Sequence, residues 1–344
     1  MTMAILAPFI VFGVIVLVHE GGHFLTAKLT GMKVEEFAIG FGPRLFSFRK
    51  GETLYSLRLF PLGGYNRIMG MDPPEPGEQR DARAFSERAV WQKLLVISAG
   101  SLTNILMAFL IFSSVFFVIG VQSFPNRPEI GRVVAGMPAE TAGLRPGDRI
   151  LSVDGKPVKT WTELRDAWGN KPGRILSVVI SRSGVEKQVT LIPKDNGEGR
   201  AIIGVTAVLD SRPVSLWEAL SLGGKESALV VESIFGGLAA AVTGAGQADV
   251  SGPIGVARMA GAVAEVGPAQ FFLFIALLSL NLGILNLFPI PLLDGGLFFL
   301  ILGEALFRRR LSRRVLYYIQ AVGVTLLLAL FIFATMNDIS ALMK

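Results

Sequence analysis

The stretch M-A-I-L-A-P-F-I-V-F-G-V-I-V-L-V-H-E-G-G-H, residues 3–23, decides both the class of fold and the kind of site. Residues 3–18 are continuously apolar, and the only two histidines of the chain, His19 and His23, follow directly. At this spacing on a helix two imidazoles share one face and can reach one metal ion, with Glu20 beside the remaining position. The alternative is that these groups merely extend to the membrane surface. Because ionisable groups at membrane depth are functional by default, the stretch favours a metal site on a membrane helix.

The composition points to a membrane protein, since 51% of the 344 residues are hydrophobic and only 17% are charged. The absence of cysteine excludes disulfides, thiolate zinc sites and cysteine catalysis. The net charge of +6 is not gathered into a basic stripe with aromatic residues, which argues against nucleic-acid binding.

Three further apolar runs, residues 94–121, 271–293 and 315–334, approach the twenty or so residues that cross a bilayer. No Lys or Arg precedes Lys28, so the first run does not read as a signal peptide. Basic residues concentrate between the first two runs and between the last two, which predicts that both connections are cytoplasmic. Both termini and the long segment after the second run are then extracytoplasmic. Residues 230–242 are too short for a fifth span and are interpreted as a surface or re-entrant helix.

The connecting segments have strand-like patterns. Residues 33–48 and 53–62 alternate apolar and polar side chains, Gly63-Gly64 is expected to close the second strand, and residues 72–83 have a loop composition.

Residues 133–155 carry the pattern V-x-x-G-x-P-A-x-x-A-G-L-x-x-G-D-x-I-x-x-V-D-G, within a less apolar region at 128–208. The pattern predicts short helices at 138–144 and 162–168, and strands at 149–153, 176–181 and 188–192. The region resembles a PDZ domain of the kind attached to bacterial proteases, and such domains bind extended peptides at a sheet edge. The alternative is that it only blocks access sterically.

A catalytic zinc site needs a third protein ligand and one open position. Without another His or any Cys, that ligand must be a carboxylate, and the candidates in or near apolar segments are Glu232, Asp294 and Glu304. Asp294 is favoured because a bare carboxylate at the end of the third run is costly unless it binds a metal. The alternatives are a helix cap for Asp294 and ion pairing with nearby arginines for Glu304.

Asp294 belongs to N-L-F-P-I-P-L-L-D-G-G, residues 286–296. Pro289 and Pro291 interrupt the backbone hydrogen bonding of this run, which is tolerated at membrane depth only inside protein or along a wet cavity. The freed backbone groups and the Asn286 amide are therefore candidates to hold an extended substrate.

These motifs together resemble the site-2 protease family of intramembrane zinc metalloproteases, in particular its bacterial branch that cleaves anti-sigma factors. The similarity includes H-E-x-G-H at 19–23, K-V-E-E-F-A-I-G-F-G-P at 33–43, P-L-G-G-Y at 61–65, A-G-x-x-x-N at 99–104 and N-x-x-P-x-P-x-x-D-G-G at 286–296. The resemblance implies that His19, His23 and Asp294 bind zinc and that Glu20 is the catalytic base. It also implies that Asn286 and Pro289 contact the substrate and that Asn104 lines the active site. Gly21 departs from the family pattern, where a larger apolar residue is usual, and only one PDZ-like unit is present.

The expected fold is a polytopic α-helical membrane protein with four transmembrane helices, a membrane-associated β-sheet and one external PDZ (α+β) domain. The expected segments are a first transmembrane helix at 1–30, a strand-rich cytoplasmic segment at 31–92, a second helix at 93–122, the PDZ domain at 125–210, an amphipathic segment at 211–268, a third helix at 269–307, and a fourth helix with the C-terminus at 308–344.

The expected function is zinc-dependent cleavage of transmembrane segments of single-span proteins, such as anti-sigma-factor-like proteins or signal-peptide remnants, in a bacterial cytoplasmic membrane. An upstream site-1-type protease would act indirectly as a partner, and the protein is expected to lie in the lipid bilayer. The alternatives are a non-enzymatic membrane PDZ adaptor with a structural metal, and a metallo-hydrolase acting on lipid or prenylated peptide.

Overall fold

The computed structural model describes residues 2–71, 81–123, 127–169, 172–196, 199–208, 210–244, 252–309 and 311–342. The chain divides into two compact units, Met1–Val115 with Leu216–Lys344, and Phe116–Ser215. The loop expected at 72–83 lies largely outside the described residues. Among the described residues, the regular structure of the first unit is helical apart from one hairpin, and the second is a small α+β unit.

The helices that build the first unit are α1 (Thr2–Leu29), α2 (Val90–Ile119), α5 (Leu216–Thr243), α6 (Pro253–Val266), α7 (Pro268–Asn286), α8 (Asp294–Phe307) and α9 (Arg313–Leu342). Four stretches are long and apolar enough to cross a membrane: Leu6–Leu29, Val90–Ile119, Pro268–Asn286 and Arg314–Leu342. The sequence predicts four candidate spans, and four are found among the described residues.

The end of α1 sets the direction of the chain after the histidine motif. Gly31 has a φ of 74°, the left-handed conformation that glycine adopts without steric cost. Met32 N–H donates to Ala27 O at 2.8 Å, closing a Schellman-type turn. The chain therefore leaves α1 sharply and enters a β-hairpin.

The hairpin consists of β1 (Val34–Lys50) and β2 (Thr53–Ile68), which pair antiparallel across a tight turn at Gly51-Glu52. Both predicted strands are present. The expectation that Gly63-Gly64 ends the second strand is wrong, since β2 continues to Ile68. The strand continues because β2 packs against α1 at this point.

Helices α5 and α6 pack against the other helices of the first unit. Residues 230–242 form the C-terminal part of α5, whose Val230 and Val231 pack against an apolar cluster built from α2 and α7. In α6, Ala260 is buried in the same apolar cluster as residues of α1. The third apolar run is not a single helix, because seven residues containing both prolines separate α7 from α8.

The second unit contains a four-stranded sheet in the order β6 (Lys156–Pro157), β5 (Arg149–Val153), β7 (Leu176–Arg182) and β8 (Val185–Leu191). Asp154 and Gly155, with φ of 50° and 76°, form the tight turn between β5 and β6. The other elements are α3 (Pro138–Thr141), α4 (Trp161–Gly169), and the short paired strands β3 (Val121–Ser123) with β12 (Asp210–Arg212), β4 (Ile130–Val133) with β11 (Val205–Ala207), and β9 (Lys194–Asp195) with β10 (Ala201–Ile202). The core is formed by fully buried aliphatic side chains, including Ile130, Ile150, Leu164, Leu176 and Ile180.

Asp148 is the buried acidic group of this unit. Its two carboxylate oxygens each accept a hydrogen bond from Arg182 at 2.7 Å, and Arg145 N–H donates at 2.8 Å. Burial raises the pKa of Asp148, but the hydrogen bonds from Arg182 and Arg145 outweigh it and leave the pKa below its ordinary value. Its folded pKa is thus lower than its unfolded pKa, so the stabilisation is present above about pH 4 and is lost as pH falls through the folded pKa.

Asp148→Asn is expected to destabilise the second unit by roughly 1.5–3 kcal/mol, because it removes the charge from a buried, doubly hydrogen-bonded acceptor. Hydrogen exchange of the β5 and β7 amides in the full chain measures this directly. The matched control is Asp166→Asn, whose side chain is 71% exposed and which should leave the exchange rates unchanged. Equal protection in both variants would show that the Arg182 pair contributes nothing measurable.

Candidate metal site and active site

The two histidines and Asp294 bring three donor atoms together on the helical unit. His19 Nε2 and His23 Nε2 lie 3.3 Å apart on consecutive turns of α1. Asp294 Oδ2 lies 3.3 Å from His19 Nε2 and 3.4 Å from His23 Nε2. Among the described residues, this is the one group of three or more His and acidic side chains with metal-site spacing. The arrangement has the donor set of a metallohydrolase site.

The break between α7 and α8 places Asp294 beside the two histidines. After α7 ends at Asn286, the chain passes through a non-helical turn that includes Leu292 at a φ of 75°, and Asp294 then starts α8. A Cβ on Gly295 would lie 2.2 Å from Leu287 O, and one on Gly296 would lie 2.2 Å from Ile290 O. The two glycines therefore let the start of α8 lie directly against the turn, which fixes the direction of the Asp294 side chain.

Helix α2 fixes the rotation of the His23 ring. His23 Nδ1 lies 2.7 Å from Val96 O, so a neutral ring donates there and presents an unprotonated Nε2 toward Asp294. The approach of the two helices depends on glycine on each side. A Cβ on Gly22 would lie 2.6 Å from Ala99 O, and one on Gly100 would lie 2.2 Å from His23 Nε2.

Gly22→Ala is expected to separate α1 from α2, because the new methyl meets backbone that cannot rotate away. Overpacking of this kind typically costs about 1–3 kcal/mol, and it should also weaken zinc retention by displacing His23. Gly21→Ala is the matched control, since a methyl group at Gly21 would have no atom within 4 Å. Gly21→Ala should be neutral or stabilise α1 by up to about 1 kcal/mol. Thermal unfolding in detergent and zinc content by mass spectrometry report both effects, and similar behaviour of the two variants would contradict the packing argument.

Polar side chains from α2 and α7 surround the three donors. Ser101 Oγ donates to Asp294 Oδ2 at 3.1 Å. The amide nitrogen of Asn104 lies 3.3 Å from His19 Nδ1, and that of Asn286 lies 3.4 Å from His19 Nε2. The Ser101 and Asn104 contacts are of the kind that orients metal-binding groups, and loss of such a contact typically costs about 10–100-fold in metal affinity or activity.

Strand β2 forms another wall of the site. The three donors border a cavity of about 280 Å³ that is also lined by Glu20, Asn286 and residues of β2. A Cβ on Gly64 would lie 2.8 Å from Glu20 Cγ and 2.7 Å from Ala38 O. The strand continues past its glycine pair because the missing side chain allows β2 to lie against α1 at this point.

A buried charge cluster holds the hairpin in shape. Glu36 of β1 accepts hydrogen bonds from Arg58 at 2.8 Å and Ser56 at 2.9 Å, both on β2. Burial raises the pKa of Glu36, but these hydrogen bonds outweigh it and leave the pKa below its ordinary value. Arg58 also donates to Gly42 O at 2.9 Å and contacts the Tyr65 hydroxyl. The cluster joins the part of β1 near Gly42 to β2, the strand that borders the cavity.

The other sequence candidates lie apart from the three donors. Glu304 accepts a hydrogen bond from Leu311 N–H at 2.8 Å, and Glu232 is an exposed residue of α5. Pro289 lies in the α7–α8 turn but does not line the cavity. Sequence reasoning missed Ser101 and Asn66, whose amide donates to Glu20 Oε2 at 2.7 Å. No local pattern marks either residue, since each contact joins residues distant in sequence.

Comparison with known proteins agrees with this class of site. The family model described as peptidase family M50 matches residues 7–330. The zinc metalloprotease RasP of Geobacillus kaustophilus is 32% identical and aligns with 98% of this chain and 97% of its own. The regulator of sigma-W protease RasP of Bacillus subtilis is 29% identical, with 98% of each chain aligned. The chain belongs to peptidase family M50. It is a zinc metalloendopeptidase.

A solved PDZ domain of an SdrC-like protein from Listeria monocytogenes aligns with 26% of this chain. The alignment covers 94% of the solved chain, with 23% identity and a TM-score of 0.22.

Proposed function

We propose that this metalloendopeptidase hydrolyses peptide bonds in the transmembrane segments of single-span membrane proteins, within the bilayer or just beneath it. Anti-sigma-factor-like proteins and signal-peptide remnants are the proposed substrates, after an upstream site-1-type protease has shortened them. A relative that aligns with nearly the whole chain is named a regulator of sigma-W protease, which supports the first class.

The observation that carries the proposal is the spacing of the three donors. A tetrahedral site with bonds of about 2.0–2.1 Å has edges of about 3.3–3.4 Å. The separations among His19 Nε2, His23 Nε2 and Asp294 Oδ2 are 3.3, 3.3 and 3.4 Å. The three atoms therefore fit three corners of a zinc tetrahedron, and we assign them as the ligands. A zinc ion held by these three residues would face the adjoining cavity, which would admit water or substrate.

When bound, zinc supplies a Lewis acid that polarises a peptide carbonyl and acidifies water. Glu20 is the proposed general base, which takes a proton from the attacking water and passes it to the departing amine. Asn286 lines the same cavity and lies at the end of α7, where its amide can hydrogen-bond a substrate strand. Asn104 orients His19, and Pro289 shapes the turn against which the substrate lies.

The proposed surroundings are the cytoplasmic membrane of a bacterium, crossed by the four long apolar helices. The basic residues of the two connections support a proposed orientation in which those connections and the site lie near the cytoplasm. Both termini and residues 125–210 are then extracytoplasmic. That segment is proposed to be a single PDZ domain, because its order of short helices and strands around a four-stranded sheet follows the sequence pattern. It would bind an extended peptide or limit the size of substrates that reach the membrane.

A non-enzymatic adaptor with a structural metal, the alternative raised by the sequence, does not agree with membership of this peptidase family. Structural zinc sites are normally closed by four protein ligands. Here three donors border an open cavity that also contains a carboxylate, Glu20, as expected of a hydrolase.

The test is incubation of the purified, detergent-solubilised protein with a tagged single-span substrate, with and without a zinc chelator. Cleavage within the transmembrane segment, lost on chelation and restored by zinc, is the expected result. Cleavage confined to soluble peptides would overturn the proposed substrate class.

A further inference from the structure

Asn66 lies on the face of β2 that borders the active site. Its Nδ2 lies 2.7 Å from Glu20 Oε2 and 2.9 Å from the Glu20 backbone oxygen. One amide group thus contacts both the side chain and the main chain of the same residue. The hydrogen bonds join strand β2 to helix α1 beside the three metal-binding donors.

The hydrogen-bonding groups around Asn66 determine which way its amide points. Both Glu20 atoms that face it are hydrogen-bond acceptors, so a reversed amide would place three oxygens together. The opposite end, Oδ1, is buried and has no hydrogen-bond partner among the described residues. Asn66 therefore turns its donor group toward Glu20 and its acceptor away from it.

Gly64 brings the amide within reach. Residues two apart on a strand point to the same face, so Gly64 and Asn66 both face α1. The absence of a Gly64 side chain admits the Glu20 methylenes, and Asn66 then meets the carboxylate. Asn66 pairs with Phe37 across the hairpin, so the register of β1 and β2 sets its position.

We propose that Asn66 is a positioning residue for the reaction: it holds the Glu20 carboxylate in the orientation in which it accepts the proton of the attacking water. The inference rests on the proposed role of Glu20 as the base. It predicts that Asn66 affects the chemical step more than substrate binding or zinc retention.

The test compares the wild-type protein with Asn66→Leu, which keeps the branched shape and the number of heavy side-chain atoms but removes the donor. Losing a hydrogen bond to a charged group should lower kcat by roughly 10–100-fold, with KM nearly unchanged and one zinc retained per chain. Asn281→Ala is the matched control, because the Asn281 amide donates to Leu277 O of its own helix. That variant should keep both kcat and zinc.

A second measurement does not depend on activity. In zinc-free protein, Asn66→Leu should lower the thermal unfolding midpoint, and this loss should be clearly smaller in a Glu20→Ala background, because the two variants remove the same contact. An unchanged kcat, a parallel loss of zinc, or additive thermal effects would each overturn the inference. If the wild-type protein binds zinc but cleaves no substrate, the proposed function fails instead, and the thermal coupling still tests the contact.

Discussion

Replacing Glu20 with glutamine is expected to lower the rate of substrate cleavage by at least roughly 10²–10⁴-fold while leaving one zinc bound per chain. Glutamine has the size and the hydrogen-bonding oxygen of glutamate but cannot accept the proton of the attacking water. The proposed ligands, His19, His23 and Asp294, are untouched by the change, so metal binding should persist. Initial rates with a tagged single-span substrate, together with zinc content, give the two readouts.

The control for this experiment is Glu265→Gln, which neutralises an exposed carboxylate on α6 and should retain full activity. Normal turnover by the Glu20 variant would remove Glu20 from the chemistry. Loss of zinc from that variant would instead show that Glu20 supports the metal rather than the proton transfer.

Asp294→Ala is expected to abolish stoichiometric zinc binding and, with it, cleavage. The substitution removes one of three donors that lie 3.3–3.4 Å apart. The loss of affinity should exceed the roughly 10–100-fold cost of losing a residue that only orients a ligand. Zinc titration of the chelated protein measures this change independently of any substrate.

Glu232→Ala is the matched control, because Glu232 is a sequence candidate for the same ligand role but is exposed on α5. It should bind zinc as the unmodified protein does. Stoichiometric zinc in the Asp294 variant would mean that another side chain completes the metal site.

Much of the local structure follows from local sequence signals. The elements of the second unit match their predicted positions closely because turns such as Asp154-Gly155 have strong conformational preferences. The i, i+4 spacing of His19 and His23 is equally local, since helix geometry alone places them on one face. The break of the third apolar run at its two prolines is predictable for the same reason.

The remaining features depend on contacts between distant parts of the chain. The Gly63-Gly64 pair has the composition of a strand end, whereas Gly64 stays in β2 because it lies against α1. Ser101 meets Asp294 across 193 positions of sequence, and Asn66 meets Glu20 across 46. A single polar residue has no periodicity that reveals such a partner. The assignment of Asp294 as the third ligand stays a prediction, which the zinc titration tests.

The missing side chains at Gly22, Gly100, Gly295 and Gly296 have a consequence for recognising related enzymes. Each position leaves under 3 Å between a hypothetical methyl carbon and its neighbour, so even alanine is excluded there without rearrangement. A homologue search that scores only the histidines and the acidic residues would accept chains that cannot assemble the metal site. In a saturation-mutagenesis survey, these four glycines should tolerate substitution as poorly as His19, His23 and Asp294. Gly21, which directly precedes Gly22, should tolerate substitution well.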